Sequence, residues 1–216
     1  LAEKTSIFIT EGDSASGTIT KARNAETQAV FSLRGKPINC YKESRKRVAE
    51  NEELNLLINA LGLEDDIENL RYKNIIVATD ADDDGMHIRM LVLTFFMKYY
   101  PDLIRRGHVY ILQTPLFRVK NKKEVRYCYN IEEKDKAVSA MKTGVEITRF
   151  KGLGEISSNE FEDFIGESMR LDKVKLSDEE SIAEIMEFYM GDNTIDRQNF
   201  IRQHLRSEAE LEDVNI

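Results

Sequence analysis

The chain has 216 residues, of which 41% are hydrophobic, 32% charged and only three are Pro, with a formal net charge of −8. That composition belongs to a soluble globular protein with room for one substantial core or two small ones, and it excludes a disordered chain. No apolar run approaches the length of a membrane span and the opening residues carry no secretory pattern, so no membrane partner and a cytoplasmic location are expected.

Ser6 to Thr10 is a short β-branched and aromatic run ending at Glu11-Gly12, and it reads as a buried strand entering a turn. The small polar stretch Asp13 to Gly17 predicts a tight turn that opens a helix from about Thr18. Ala29 to Leu33 predicts a second strand, followed by the loop Arg34-Gly35-Lys36-Pro37. Asn51 is placed to cap a helix carrying Leu54, Leu57, Ile58 and Leu61, which Gly62 stops.

Asn74 to Thr79 is the clearest strand and runs straight into Asp80-Ala81-Asp82-Asp83-Asp84-Gly85. Met86 to Tyr100 follows a helical pattern closed by Pro101. Val109 to Leu112 predicts a strand, Thr114-Pro115 a turn, Val125 to Tyr129 a hairpin arm, and Ile131 to Met141 a helix ended by Gly144. Val145 to Phe150 predicts a strand leading into Lys151-Gly152-Leu153-Gly154-Glu155. Alternating strands and helices point to an α/β fold with an open, mainly parallel sheet.

Beyond Ser157 the character changes to helices. Ser177 to Glu180 fits a capping box before Ile182, Ile185 and Tyr189, Gly191 ends that helix, and Thr194 to Leu205 predicts another. The domain organisation expected is a core over 1–120, a hairpin, helix and Gly-rich segment over 121–156, a helical tail over 157–206, and an acidic, disordered end over 207–216.

The acidic total argues against gripping nucleic acid by net charge alone. The charge is uneven, however, with basic clusters at Arg34 and Lys36, at Lys42 to Arg47, at Arg105 and Arg106, and along Arg118 to Arg126. Cys40 and Cys128 lie far apart and outside any metal-binding spacing, which predicts reduced, incidental thiols. Leu1 stands where a complete chain would begin with Met, so an excised piece of a longer protein is expected.

In extended conformation, Asp80, Asp82 and Asp84 would project to one face at the carboxyl edge of a strand, with Asp83 turned away. Carboxylates crowded in this way repel one another unless a cation neutralises them, and hard oxygen ligands favour Mg²⁺ or Mn²⁺ over zinc. Glu11 follows another predicted strand, and ligands of open α/β sheets bind beyond the carboxyl ends of the strands. An EF-hand loop is the competing reading, but its twelfth position holds Leu91 and a strand replaces its first helix. A solvated acidic turn is the bland alternative. Gly12 and Gly17 have the frame of a P-loop, yet Thr18 stands where Lys is required, which leaves a phosphate-receiving glycine turn or simple close packing.

Glu11-Gly12-Asp13-Ser14-Ala15, Leu33-Arg34-Gly35-Lys36, Asp80 to Arg89, Gln113-Thr114-Pro115-Leu116-Phe117 and Arg149 to Glu155 stand in order along the chain. This ordered set resembles the Toprim and C-terminal region of the B subunit of bacterial type IIA topoisomerases, from about Ser6 to Leu205. The short stretch between Phe117 and Arg149, together with Ser16 and Met86, resembles the topoisomerase IV branch more than the gyrase branch. The resemblance implies a Toprim fold with a helical C-terminal tail.

It further implies that Glu11, Asp80 and Asp82 hold Mg²⁺, with Mn²⁺ or Ca²⁺ able to substitute, and that Asp84 shares a second position. Glu11 is the implied acid/base for the 3′ oxygen, while Lys36, Asn39 and His87 match positions that touch double-stranded DNA. Asp13, Arg34 and Lys36 fall at the family's quinolone pocket. The implied partner is the A subunit of topoisomerase IV in an A₂B₂ assembly, which supplies the nucleophilic Tyr. Tyr99, Tyr127, Tyr129 and Tyr189 here read as packing residues. ATP is implied only for the full-length protein, and this piece alone is expected to be inactive. A Toprim nuclease or primase and a non-enzymatic Ca²⁺-binding module are the rival functions.

Overall fold

The computed structural model describes residues 4–64, 66–176 and 179–204, with side chains from 182 onward in the last segment. The chain divides into two compact units, Leu1–Lys175 and Leu176–Ile216.

The first unit is built on a five-stranded sheet. Its strands are β1 (Ser6–Glu11), β2 (Gln28–Leu33), β3 (Asn74–Ala78), β4 (Val109–Leu112) and β8 (Leu171–Lys173), in the spatial order β2-β1-β3-β4-β8. The first four are mutually parallel and β8 pairs antiparallel with β4. β1 and β3 carry apolar centres, Ile7 to Ile9 and Ile75 to Ala78, and are buried along nearly their whole length, as strands covered on both faces must be. Phe8, Ile76 and Leu112 pack with Ala15 and Ile19 of α1 (Gly12–Ala22) and with Phe161, Phe164 and Ile165 of α7 (Ser158–Ile165). The alternate residues Ile7, Ile9, Ile75 and Val77 face the opposite side and are equally buried. α3 (Glu52–Leu61) packs against β2, and α4 (Asp83–Tyr99) against β3.

The caps read from the sequence for α3 are in place. The Asn51 side chain accepts from Leu54 N–H, and Gly62 ends α3 in the left-handed conformation at φ 77°, the backbone state that favours glycine. A short helix, α2 (Arg45–Glu50), has no counterpart among the predicted elements; Ser44 caps it by accepting from Arg47 N–H. α5 (Pro101–Arg105) starts on Pro101 directly after α4.

A second, three-stranded antiparallel sheet is formed by β5 (Phe117–Lys120), β6 (Val125–Cys128) and β7 (Glu146–Arg149), with β5 in the middle. α6 (Ile131–Met141) packs on it. Arg118 and Tyr127 of this sheet both donate to the Glu160 carboxylate on α7, which also receives the Ser157 hydroxyl.

Two expectations change. The first helix begins at Gly12 and not near Thr18, so Gly17 lies in a helix interior. Gly12 (φ +66°) makes the sharp exit from β1 by itself. The segment from 157 does not belong wholly to a helical tail: α7 packs on α1 and β8 completes the main sheet. The expected capping residues Ser177 and Asp178 lie outside the described residues, as does the acidic end 207–216.

In the second unit, α8 (Glu179–Met190) and α9 (Thr194–His204) are joined by Gly191 to Asn193. Phe188 meets Phe200 edge-on at 5.7 Å, and Arg197 donates to the Phe188 and Gly191 carbonyls at 2.9 and 2.8 Å, closing the end of α8.

A candidate metal centre at the sheet's carboxyl edge

The strand order places a topological switch between β1 and β3, because the chain leaves β1 toward β2 and then crosses back to β3. Ligand crevices of open α/β sheets form at this place. The register sets Thr10 beside Ala78, so Glu11 and Asp80 emerge together just beyond the paired region. Leu33 pairs with Glu11 on the other side, which brings the Arg34–Lys36 loop to the same edge.

The acidic run is not an extended strand. β3 stops at Ala78, Asp82 is the N-cap of α4, and Asp83 and Asp84 already lie in its first turn. The one-face alternation expected for Asp80, Asp82 and Asp84 is therefore replaced by a strand–turn–helix arrangement. Asp82 Oδ1 accepts from Gly85 N–H at 2.8 Å, the bond that satisfies an exposed helix amide. Asp80 Oδ1 accepts from Leu153 N–H at 2.8 Å, and Ala81 N–H donates to the Lys151 carbonyl at 3.0 Å. Asp84 turns toward Lys36, whose Nζ lies 2.6 Å from Oδ1.

Two glycines allow this geometry. A Cβ on Gly85 would lie 2.3 Å from the Asp80 carbonyl oxygen, and one on Gly152 would lie 3.0 Å from Asp80 Oδ2. The Gly152–Glu155 turn is held by Glu155 Oε2, which accepts from Lys151 N–H at 3.0 Å.

Burial, and then the charges of Asp80, Asp82 and Asp84, push the Glu11 carboxyl above its ordinary value, with Lys36 pulling weakly the other way. Burial likewise raises Asp80, against the Leu153 hydrogen bond, with Asp82 and Glu155 adding to the rise. The Lys36 hydrogen bond and charge pull Asp84 down, and Asp84 in turn raises Lys36. Glu11, Asp80, Asp82, Asp84 and Lys36 thus form one electrostatic group.

Among the described residues, no three His, Cys, Asp or Glu side chains converge into a finished cage for a metal ion. The donor set nevertheless fits a hard cation. Glu11 Oε2 is buried without a hydrogen-bond partner, an arrangement that costs free energy unless something electropositive meets it. A divalent ion there would also relieve the mutual repulsion that raises Glu11.

His87 is exposed near the start of α4 and helps to lower Asp84. Asn39 is exposed on the loop after β2, its side-chain oxygen accepting from Tyr41 N–H. Asp13 is exposed in the first turn of α1, and Arg34 beside Lys36, with its N–H donating to Glu53. Sequence reasoning gave Leu153, Gly152 and Gly85 no role beyond membership of a motif; a glycine beside a chemical residue was the available signal. A cavity of about 460 Å³ opens next to Asp80 and Asp82, with Arg89, Tyr129, Glu133 and Arg170 among its walls.

Residues 6–114 match the family model of the Toprim domain. This chain belongs to the Toprim family. Residues 142–202 match the family model of the DNA gyrase B subunit carboxyl terminus, so this Toprim chain carries both parts of the resemblance read from the sequence. It is 55% identical over 205 residues to the B subunit of DNA topoisomerase 4 from Borreliella burgdorferi, covering 94% of this chain and 34% of that protein. It is 40% identical over 221 residues to the DNA gyrase B subunit of Thermus thermophilus, covering 97% and 35%. The chain spans about a third of the length of these curated relatives. Its fold matches the solved DNA-binding, cleavage and re-ligation domain of Plasmodium falciparum topoisomerase II at a TM-score of 0.81 and 24% identity, covering 95% of this chain and 30% of that one. No helix among the described residues is long and apolar enough to cross a membrane.

Proposed function

We propose that this chain is the metal-binding part of the B subunit of a type II DNA topoisomerase of the topoisomerase IV kind, with the gyrase B subunit as the alternative. In this reading it supports double-strand DNA cleavage and religation by transesterification, for relaxation and decatenation of chromosomes in the cytoplasm. The observation that carries it is the buried, unpartnered Glu11 Oε2 set among Asp80, Asp82 and Asp84 at the switch point, beside a cationic loop.

Glu11, Asp80 and Asp82 would hold Mg²⁺, or Mn²⁺ or Ca²⁺ in its place, with Asp84 sharing a second position. A bound Mg²⁺ supplies Lewis-acid stabilisation of negative charge on the phosphodiester oxygens. Glu11 gives a proton to the departing 3′ oxygen on cleavage and recovers it on religation. Lys36, Asn39 and His87 are exposed and bind the phosphates of double-stranded DNA. Asp13, Arg34 and Lys36 are the contacts assigned to a quinolone.

The attacking Tyr comes from the A subunit of topoisomerase IV in an A₂B₂ assembly. Three tyrosines of this chain are engaged by other groups: Tyr127 donates to Glu160, Tyr99 to the Glu43 carbonyl, and Tyr129 lies under Arg170 with its centroid 3.9 Å from the guanidinium carbon. ATP belongs to the remainder of the full-length protein, and this chain alone is inactive.

The test is cleavage of supercoiled plasmid by this chain mixed with the A subunit and Mg²⁺ without ATP, comparing the parent with Glu11→Ala and Asp82→Asn. Double-strand cleavage that both substitutions abolish is expected. Undiminished cleavage in both would overturn the assignment. Nicking without the A subunit would move the reading to a Toprim nuclease or primase, and micromolar Ca²⁺ binding with no partner-dependent cleavage to a binding module.

A further inference from the structure

The segment 34–44 between β2 and α2 carries Lys36 and Asn39, yet it belongs to neither sheet; a backbone turn from Glu43 N–H to the Cys40 carbonyl bends its far end. Pro37 and Cys40 are buried while Lys36 and Asn39 are exposed, so the segment has an inner and an outer face. Cys40 is free and wholly buried, and burial pushes its thiol up to about 11.

On the inner face, Lys98 of α4 donates from Nζ to three backbone carbonyls: Cys40 at 3.1 Å, Glu43 at 2.9 Å, and Tyr41. An ammonium has three N–H donors, and here all three are spent on one short segment. The same Nζ lies 5.3 Å from the ring centroid of Tyr99 and 5.9 Å from that of Tyr41, close enough for both faces to favour the cation. Tyr99 adds its hydroxyl to the Glu43 carbonyl, and Arg45 Nη2 reaches the Tyr99 carbonyl at 3.2 Å.

At the other end of the same helix, Lys36 meets Asp84. The two anchors are separated along α4 by about 21 Å at a rise of 1.5 Å per residue. A chain with no ladder of its own must satisfy its carbonyls by other means, and one lysine does so for three of them.

We propose that Lys98 is a positioning residue that clasps segment 34–44 onto α4, so that Lys36 and Asn39 stand ready to receive a DNA backbone. The inference rests on the reading of that segment as a DNA contact. Lys98 lies outside the carboxylate group, and Val92, Phe95 and Phe96 anchor α4 as fully buried residues. Its loss therefore loosens the loop without unfolding the helix or disturbing the cation site.

The test is Lys98→Met, which keeps the apolar stem and removes the donors, read by hydrogen exchange of amides 38–44, binding of a short DNA duplex, and Mg²⁺ titration. Loss of charge-assisted bonds should speed exchange of these amides by about tenfold or more, weaken the duplex, and leave Mg²⁺ affinity unchanged. Lys98→Arg should restore protection, and propylammonium should restore it in Lys98→Ala. Unchanged exchange in Lys98→Met would overturn the proposal, as would loss of Mg²⁺ affinity, which would make Lys98 a general folding residue. Faster exchange with unchanged duplex affinity would uphold the clasp and refute the DNA contacts assigned to Lys36 and Asn39.

Discussion

Gly85→Ala sets two opposing effects against each other at the heart of the site. Gly85 lies in the first turn of α4 and its φ is outside the left-handed region, so alanine should gain about 1 kcal/mol of helix propensity. The new Cβ, however, would lie 2.3 Å from the Asp80 carbonyl oxygen and 2.9 Å from the Asp80 carbonyl carbon and nitrogen. These are backbone atoms with no rotamer to change, and relief needs a displacement on the order of 1 Å to regain ordinary contact distances. Overpacking of this kind costs about 1–3 kcal/mol, so the net change in stability is a loss of about 0–2 kcal/mol.

The larger consequence falls on Asp80, because its backbone moves while Leu153 N–H still holds its carboxylate. Disturbing groups that orient a ligand typically lowers metal affinity about 10- to 100-fold. Calorimetric Mg²⁺ titration with thermal unfolding measures both effects. A variant about 1 kcal/mol more stable than the parent with unaltered Mg²⁺ affinity would refute the geometric reasoning. Gly17→Ala is the internal control: a Cβ there meets nothing within 4 Å in the interior of α1, so a gain of about 0.5–1 kcal/mol is expected by chemical denaturation, and a loss would contradict the helix start at Gly12.

Asp82 has two separable duties, capping α4 and supplying a carboxylate. Asp82→Ala should cost about 1 kcal/mol together with Mg²⁺ binding, whereas Asp82→Ser should keep the stability and lose only the metal; equal melting of the two variants would remove the capping role. Glu160 resists burial, which alone would raise it, because bonds from Tyr127, Ser157 and Arg118 hold it down at about 2. A depressed carboxyl stabilises fully above its unfolded value and loses that contribution as pH falls from about 4.5 toward about 2. Glu160→Gln should therefore be less stable by about 2 kcal/mol at neutral pH, and the gap should close as the pH falls through that window. A gap independent of pH in urea unfolding would show that the charge is not what matters.

Most of the elements were legible because their signals are local. β1, β3, β4, α3 and α6 sit where apolar periodicity and caps place them, within a residue or two, since a strand pattern or an Asn cap is written within a few positions. The acidic run misled at the same scale: alternating Asp residues are compatible with a strand, but an Asp that caps a helix is equally at home in D-x-x-G, and Gly85 was the overlooked sign. β8 was missed because three residues, two of them exposed, carry no amphipathic pattern of their own.

By itself the sequence determined the chemistry available here: hard carboxylates after two buried strands, a Gly-Lys loop, and cysteines outside any pairing or metal-binding spacing. It also carried the family resemblance, because ordered motifs survive as text. Only the tertiary structure decided which of those groups meet. Lys36 pairs with Asp84 across 48 residues, Asp80 takes its amide from Leu153 across 73, and Lys98 gathers carbonyls about 55 residues away. Local propensity acts over a turn or a strand, whereas these contacts follow from strand order and crossover. The switch between β1 and β3 turns separated acidic residues into one electrostatic group.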